Sequence, residues 1–147
     1  MSTVKDLLTA KGSSVSTISP QAKVYEALAL MAEKDIGALV VVSEGKVVGV
    51  ISERDYARKV VLKGRFSKET AVKDVMSSLD ATVKPSQTVE ECMAIMTEKR
   101  HRHLPVLDNG KLVGIISIGD LVKSIISNQK FMIENLENYI SGAPEVR

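Results

Sequence analysis

Two stretches of this 147-residue chain carry the same set of chemistry-bearing residues: Gly49-Val50-Ile51-Ser52-Glu53-Arg54-Asp55 and Gly114-Ile115-Ile116-Ser117-Ile118-Gly119-Asp120. In each, a glycine precedes an apolar pair, then a serine, then an aspartate three residues on. Ser-x-x-Asp is a capping-box variant, in which the hydroxyl accepts an early helix N–H and the acid reaches back. One reading is therefore two ordinary helix starts. The other puts a ligand there. A helix start offers unpaired N–H groups and partial positive charge to a phosphate, with the serine hydroxyl as an added donor. The carboxylate can accept both hydroxyls of a ribose, and the glycine lets another group approach the backbone closely. The readings are compatible, since a serine can cap the free helix and still meet a phosphate. Finding the whole set twice, at equivalent places, weighs against coincidence.

The duplication extends far beyond these junctions. Sliding the sequence by 65 residues aligns Pro20 with Pro85 and holds register without a gap to Asp55 and Asp120. About 16 of these 36 positions are identical, against roughly one in fifteen by chance for ordinary composition. Upstream the match returns at a shift of 68, where Val4-Lys5-Asp6-Leu7-Leu8 faces Val72-Lys73-Asp74-Val75-Met76. An internal repeat decides the fold before any single motif does.

Each copy reads as βαββα. A short β-prone segment (Val15 to Ile18, or Ala81 to Val83) ends at a proline, which limits a strand. A helix follows, with Val24, Ala27, Leu28 and Met31 at helical spacing, matched by Val89, Cys92, Met93 and Met96. Two strands come next, Ala38 to Ser43 and Val47 to Ser52 in the first copy, joined by Glu44-Gly45. Asn109-Gly110 at the second turn is a strong type I′ hairpin signal. A second helix starts near Glu53 or Ile118. The expected fold is α+β: repeats at 4–63 and 72–127, a polar and basic link at 64–71, and a helical extension and tail at 128–147. A unit of this size is marginal alone, so the copies are expected to pack as one pseudo-twofold module. In the extension Leu121, Ile125, Met132, Leu136 and Tyr139 share a stripe, Gly142 is a candidate C-terminal cap, and Pro144 to Arg147 should fray.

Composition bounds the function classes. Aromatics make up 3% of the chain, with no Trp, which offers few faces for stacking bases of single-stranded nucleic acid. A net charge of +2 gives no strong field for DNA or anionic lipid. The longest apolar run, Ala38 to Val42, is far short of a membrane span, and Met1 to Asp6 lacks the apolar core of a signal peptide. The single cysteine, Cys92, fits a reducing compartment. A cytoplasmic location is expected. No Walker loop, Gly-x-Ser-x-Gly elbow, His-Glu-x-x-His or cysteine-based metal cluster is present, so no enzyme activity and no catalytic cofactor are expected.

Pro20 to Asp55 and Pro85 to Asp120, with the two junctions and His103-Leu104-Pro105-Val106, resemble a pair of cystathionine-β-synthase (CBS) domains, a Bateman module, over roughly residues 4 to 126. The resemblance implies a regulatory module that binds an adenine nucleotide (AMP, NAD or ATP, with S-adenosylmethionine also known in the family). It also implies a homodimer, and a partner enzyme, channel or transporter. By the same resemblance Asp55 and Asp120 hold ribose hydroxyls and Ser52 and Ser117 contact phosphate, while Thr17 and Thr82 border the clefts. One cleft combines Asp120 and Ser117 with Pro20, Ala22, Ile36 and Gly37. The other combines Asp55 and Ser52 with Lys84, Pro85, Gln87, His101 and Arg102. Ala38 and Val40, or His103 and Pro105, flank the base.

The cations divide. Arg54 lies inside the junction, where a guanidinium can fork onto a phosphate; Gly119 takes its place in copy two. The clefts should therefore differ in charge, one taking a diphosphate ligand such as NAD and the other AMP or nothing. Arg58 shares a helix face with Arg54, and the lysines that follow (Lys59, Lys63, Lys68) read as a solvated basic surface. His101-Arg102-His103 invites a metal, but with no further histidine the anion-facing reading is preferred and no metal site is assigned. Cys92 reads as a small core residue. The alternative function is a ligand-free structural or interaction module, including weak nucleic-acid binding through the basic link.

Overall fold

The computed structural model describes residues 2–141. The Gly142 cap and the fraying of Pro144 to Arg147 lie outside them. The chain is an α+β molecule of two tandem repeats with a long C-terminal helix. In order come α1 (Val4–Lys11), β1 (Thr17–Ile18), α2 (Val24–Lys34), β2 (Ala38–Ser43), β3 (Lys46–Ser52) and α3 (Glu53–Tyr56). After these come β4 (Ser77–Ser78), α4 (Val89–Lys99), β5 (His103–Asp108), β6 (Lys111–Ser117) and α5 (Ile118–Ser141). A π-helical turn, Ala57–Val61, prolongs α3, and a 3-10 turn, Val72–Asp74, precedes β4.

The hairpins have the geometry their turn residues dictate. Glu44 and Gly45 have φ of 50° and 76°, and Asn109 and Gly110 of 51° and 81°, as a type I′ turn requires at both central positions. The β-prone segment of copy one shrinks to two residues paired parallel to β2, Thr17 to Val40 and Ile18 to Val41. In copy two only an isolated bridge, Val83 to Val106, survives. The prolines at 20 and 85 have no N–H to extend either ladder.

Two cores form, one per repeat. The first gathers Val24, Ala27, Met31, Leu39, Val41, Ile51 and Val60; the second gathers Val83, Val89, Cys92, Met96, Leu104, Val106, Ile116 and Leu121. Each is completed by the leading segment of the opposite copy. Val72 and Val75 are fully buried in the first core, and Val4 and Leu7 close the second. Backbone bonds fix this exchange. Val72 and Lys73 donate to the carbonyls of Ala22 and Pro20, while Val4 and Lys5 donate to those of Gln87 and Pro85. Burying a valine or leucine is worth about 1.5–3 kcal/mol, so neither core is complete without its borrowed arm. The arms differ in form: α1 is a capped helix, whereas Ser77-Ser78 pairs with Val50 and Gly49 of β3 as β4.

Ala38 and Val40 are buried yet belong to neither core. They occupy the face of β2 opposite Leu39 and Val41, because successive side chains alternate across a strand. Among the described residues no helix is long and apolar enough to cross a membrane.

Candidate functional site

Strand β3 delivers Ser52 to the head of α3, and the capping box forms. The Asp55 N–H donates to Ser52 Oγ at 3.3 Å, and the Ser52 N–H donates to Asp55 Oδ2 at 2.9 Å. This fixes the carboxylate, which is 9% exposed. Its other oxygen, Oδ1, accepts from Ser77 Oγ at 3.2 Å and lies 3.2 Å from Lys59 Nζ. Lys59 also donates to the carbonyl of Val75 at 2.9 Å. The lysine read from sequence as a solvated surface group is thus tied to the aspartate four residues before it, and the exchanged arm holds it there through the Val75 carbonyl.

These groups border a cavity of about 400 Å³ between the repeats, within the usual range of ligand sites, roughly 300–1,000 Å³. The first repeat contributes Gly37, Val50, Ser52, Arg54 and Asp55, with Arg58 and Lys59. The second contributes Arg100, His101, Arg102, His103 and Pro105. The segment after β4, Leu79 to Ala81, forms the remaining wall. Five basic side chains face three carboxylates, those of Glu53, Asp55 and Asp80. Like charges crowd Arg54: the guanidinium of Arg102, then that of Arg58, lowers its proton affinity. A hydrogen bond with His101 holds the Asp80 carboxyl below its usual range. Burial keeps the His103 imidazole below its ordinary value, against the pull of Asp120.

The second junction repeats the cap but not the surroundings. Ser117 N–H donates to Asp120 Oδ2 at 2.8 Å, and Asp120 N–H donates to Ser117 Oγ at 3.2 Å. Here Lys11, from the end of α1, places Nζ 2.6 Å from Asp120 Oδ2 and 2.9 Å from the carbonyl oxygen of Ile115. Burial works against the charge on Asp120, but the bonds from Lys11 and Ser117 outweigh it and lower the carboxyl's pKa.

The structure therefore brings Ser52, Arg54, Asp55, His101, Arg102, His103 and Pro105 to one cavity, with Gly37 added from the set assigned to the other cleft. Ile36 and Gly37 border a separate hollow with Leu28, Met31 and Glu53. Lys84, Pro85 and Gln87 stand apart from the cavity lining: the Lys84 N–H donates to Gln87 Oε1, and the carbonyls of Pro85 and Gln87 receive α1. Pro20 and Ala22 likewise receive the arm at Val72 and Lys73. Thr17 is exposed on β1, Thr82 is half-buried, Ala38 is buried at the start of β2, and Gly119 is exposed in the first turn of α5. Sequence reasoning missed Arg100, Ser77, Asp80 and Lys11. The shift-68 match of the leading segments was the available signal, since it marks the arms that carry Lys11 and Ser77.

Comparison with known proteins agrees with the repeat. The CBS domain family matches residues 3–62 and 72–127. A solved structure of a putative signal-transduction protein with CBS domains from Burkholderia ambifaria is 55% identical, with a TM-score of 0.83 over 87% of this chain and 96% of that one. The mitochondrial CBS domain-containing protein CBSX3 of Arabidopsis thaliana is 36% identical over 95% of this chain and 72% of its own length. The structure of CBSX2 in complex with AMP is 28% identical, with a TM-score of 0.68 over 88% of this chain and 99% of that one. A duplicated unit, exchanged arms and a family match over both copies lead to one conclusion: the chain belongs to the CBS-domain family, as a tandem pair.

Proposed function

We propose that this chain is a non-enzymatic regulatory module whose Asp55 cleft binds an adenine nucleotide, drawn from AMP, NAD or ATP. One observation carries the reading. A single inter-repeat cavity joins a buried, hydrogen-bonded aspartate to arginines from both copies. In the bound state Asp55 exchanges Ser77 and Lys59 for the two ribose hydroxyls. The base takes the apolar wall of Val50, Leu79 and Pro105, and the phosphates face the arginines. CBSX2, the relative solved with AMP, supports an adenine ligand. A ligand that touches both repeats favours one arrangement of the pair, and that difference in affinity is the regulatory signal.

The output surface is the far half of α5. Phe131, Met132, Ile133, Leu136, Tyr139 and Ile140 are all more than half exposed there. Lys123 and Lys130 precede this stretch, while Glu134 and Glu137 lie within it. That polarity suits antiparallel packing of α5 against α5 of a second copy, which makes the module a homodimer.

Calorimetric titration with AMP, ADP, ATP, NAD, NADH and S-adenosylmethionine tests the ligand. Binding of an adenine nucleotide that Asp55→Asn weakens is the expected result. Equal affinity in the variant, or binding by none of the six, removes the reading. Sedimentation of Leu136→Glu beside the parent chain tests the dimer.

A further inference from the structure

We propose, resting on the nucleotide reading above, that the Asp55 cleft selects by phosphate number. It takes a nucleoside triphosphate in preference to a monophosphate, or to a dinucleotide whose two phosphates are both esterified. Four guanidinium groups line the cavity, Arg54 and Arg58 from one repeat and Arg100 and Arg102 from the other. The neighbouring acids are engaged elsewhere, Asp55 with Lys59 and Asp80 with His101. Among the described residues none of the four arginines makes an ion pair. Only Glu53, exposed on the lining, offers a further carboxylate. The depressed proton affinity of Arg54 reflects this excess.

The architecture does not call for three of these arginines. In the register of the duplication Arg54, Arg100 and Arg102 stand opposite Gly119, Asp35 and Gly37. The same fold is therefore built around two glycines and an acid in its other half. Arg100 is also placed against its own backbone preference. It closes α4 at φ 58°, as Asp35 closes α2 at φ 53°, and the left-handed region suits Gly, Asn or Asp far better than Arg. An arginine kept in strain, unpaired and beside three others fits an anion of matching charge.

Adenosine triphosphate carries about four negative charges at pH 7, and the monophosphate about two. NAD spreads one charge on each of two diester phosphates. Guanidinium groups fork onto phosphate oxygens, so each added phosphate engages a further arginine. Arg54, beside Ser52 and Asp55, holds the phosphate nearest the ribose. Arg100 and Arg102 hold the outer ones and draw the second repeat onto the first.

The test is calorimetry at fixed ionic strength with AMP, ATP, NAD and inorganic tripolyphosphate, on the parent chain, Arg100→Gln/Arg102→Gln and Asp55→Asn. Thermal melts confirm that each variant folds. ATP should bind at least about tenfold tighter than AMP or NAD, the increment of one charge-assisted contact. Tripolyphosphate should bind and compete with ATP. The double variant should bring ATP to within about threefold of AMP. Asp55→Asn should weaken both nucleotides and spare tripolyphosphate. AMP binding as tightly as ATP, or a preference for ATP that survives the double variant, overturns phosphate counting and leaves the nucleotide reading intact. Tripolyphosphate bound with no nucleotide bound removes the nucleoside and keeps the charge selection. No binding by any ligand removes both.

Discussion

Lys11 and Asp120, 109 residues apart in sequence, meet at 2.6 Å and pin the end of α1 to the first turn of α5. The pair is only partly shielded, with the lysine side chain 35% exposed, so its worth is that of a good surface pair. Lys11→Met should cost about 1 kcal/mol in urea unfolding at neutral pH. Asp120 has a folded pKa below the ordinary 3.8, so its contribution is present above that value and lost as pH falls through the lower folded one. The gap between parent and variant should therefore close below pH 3.8. A gap that persists there would show that Lys11 acts through packing alone.

Two glycines at equivalent places should respond differently. A Cβ on Gly49 would sit 2.6 Å from the carbonyl oxygen of Ser77 and 2.9 Å from Met76 Sδ. On Gly114 it would meet Leu8 Cδ2 at 2.6 Å. A leucine tip can rotate away, whereas the Ser77 carbonyl belongs to a strand paired with β3. Gly49→Ala should cost about 2–3 kcal/mol and Gly114→Ala about 1 kcal/mol, within the range for overpacking. Denaturant titration of both orders them; equal costs would mean that the β4 arm yields as easily as a side chain.

His103 makes stability depend on pH near neutrality. Burial lowers its folded pKa below the ordinary 6.5, so between the two values the unfolded chain binds the extra proton. Stability is then greatest above pH 6.5 and declines as pH falls toward the folded value. Thermal melts from pH 7.5 to 5.5 should show the decline, and His103→Gln should flatten it.

Arg100→Gly should stabilise the unliganded protein by about 0.5–1 kcal/mol, because glycine adopts positive φ without the Cβ penalty. Weaker triphosphate binding should accompany the gain, a trade often met when a strained residue serves a ligand. Denaturation and calorimetry on the one variant measure both effects. A loss of stability would mean that Arg100 makes compensating contacts in the fold.

The Cys92 thiol is buried, and desolvation pushes its pKa up to about 11. Alkylation at pH 8 should therefore be slow in the folded protein and track opening of the second core. Fast labelling that is indifferent to added denaturant would contradict that burial.

What was legible in the sequence was whatever acts locally or repeats. The gapless register from Pro20 to Asp55 carried both hairpins, α2 and α4, and the serine–aspartate caps, because each rests on contacts a few residues apart. The exchanged arms were not legible, although their match at a shift of 68 was visible. Val4 and Val72 look like helix or strand starts of their own repeats, and nothing nearby in sequence says that each is buried in the other. The same separation hid Lys11 at Asp120 and Ser77 at Asp55, and it hid that the backbone carbonyls of Pro20, Ala22, Pro85 and Gln87 receive the arms. Lys59 went unrecognised for a different reason. Its i,i+4 spacing to Asp55 was visible, but a lysine in a charge run reads as solvated surface until its partner carboxylate is known to be buried.

The traded segments also say what a half-length relative would have to be. One copy alone has an arm with nowhere to go and a groove with nothing in it, and a second molecule of the same kind supplies both. Such a chain would hold together only as an intertwined pair, its integrity falling on dilution. Fusing the two copies makes that exchange internal, so this molecule's architecture no longer depends on how much of it is present.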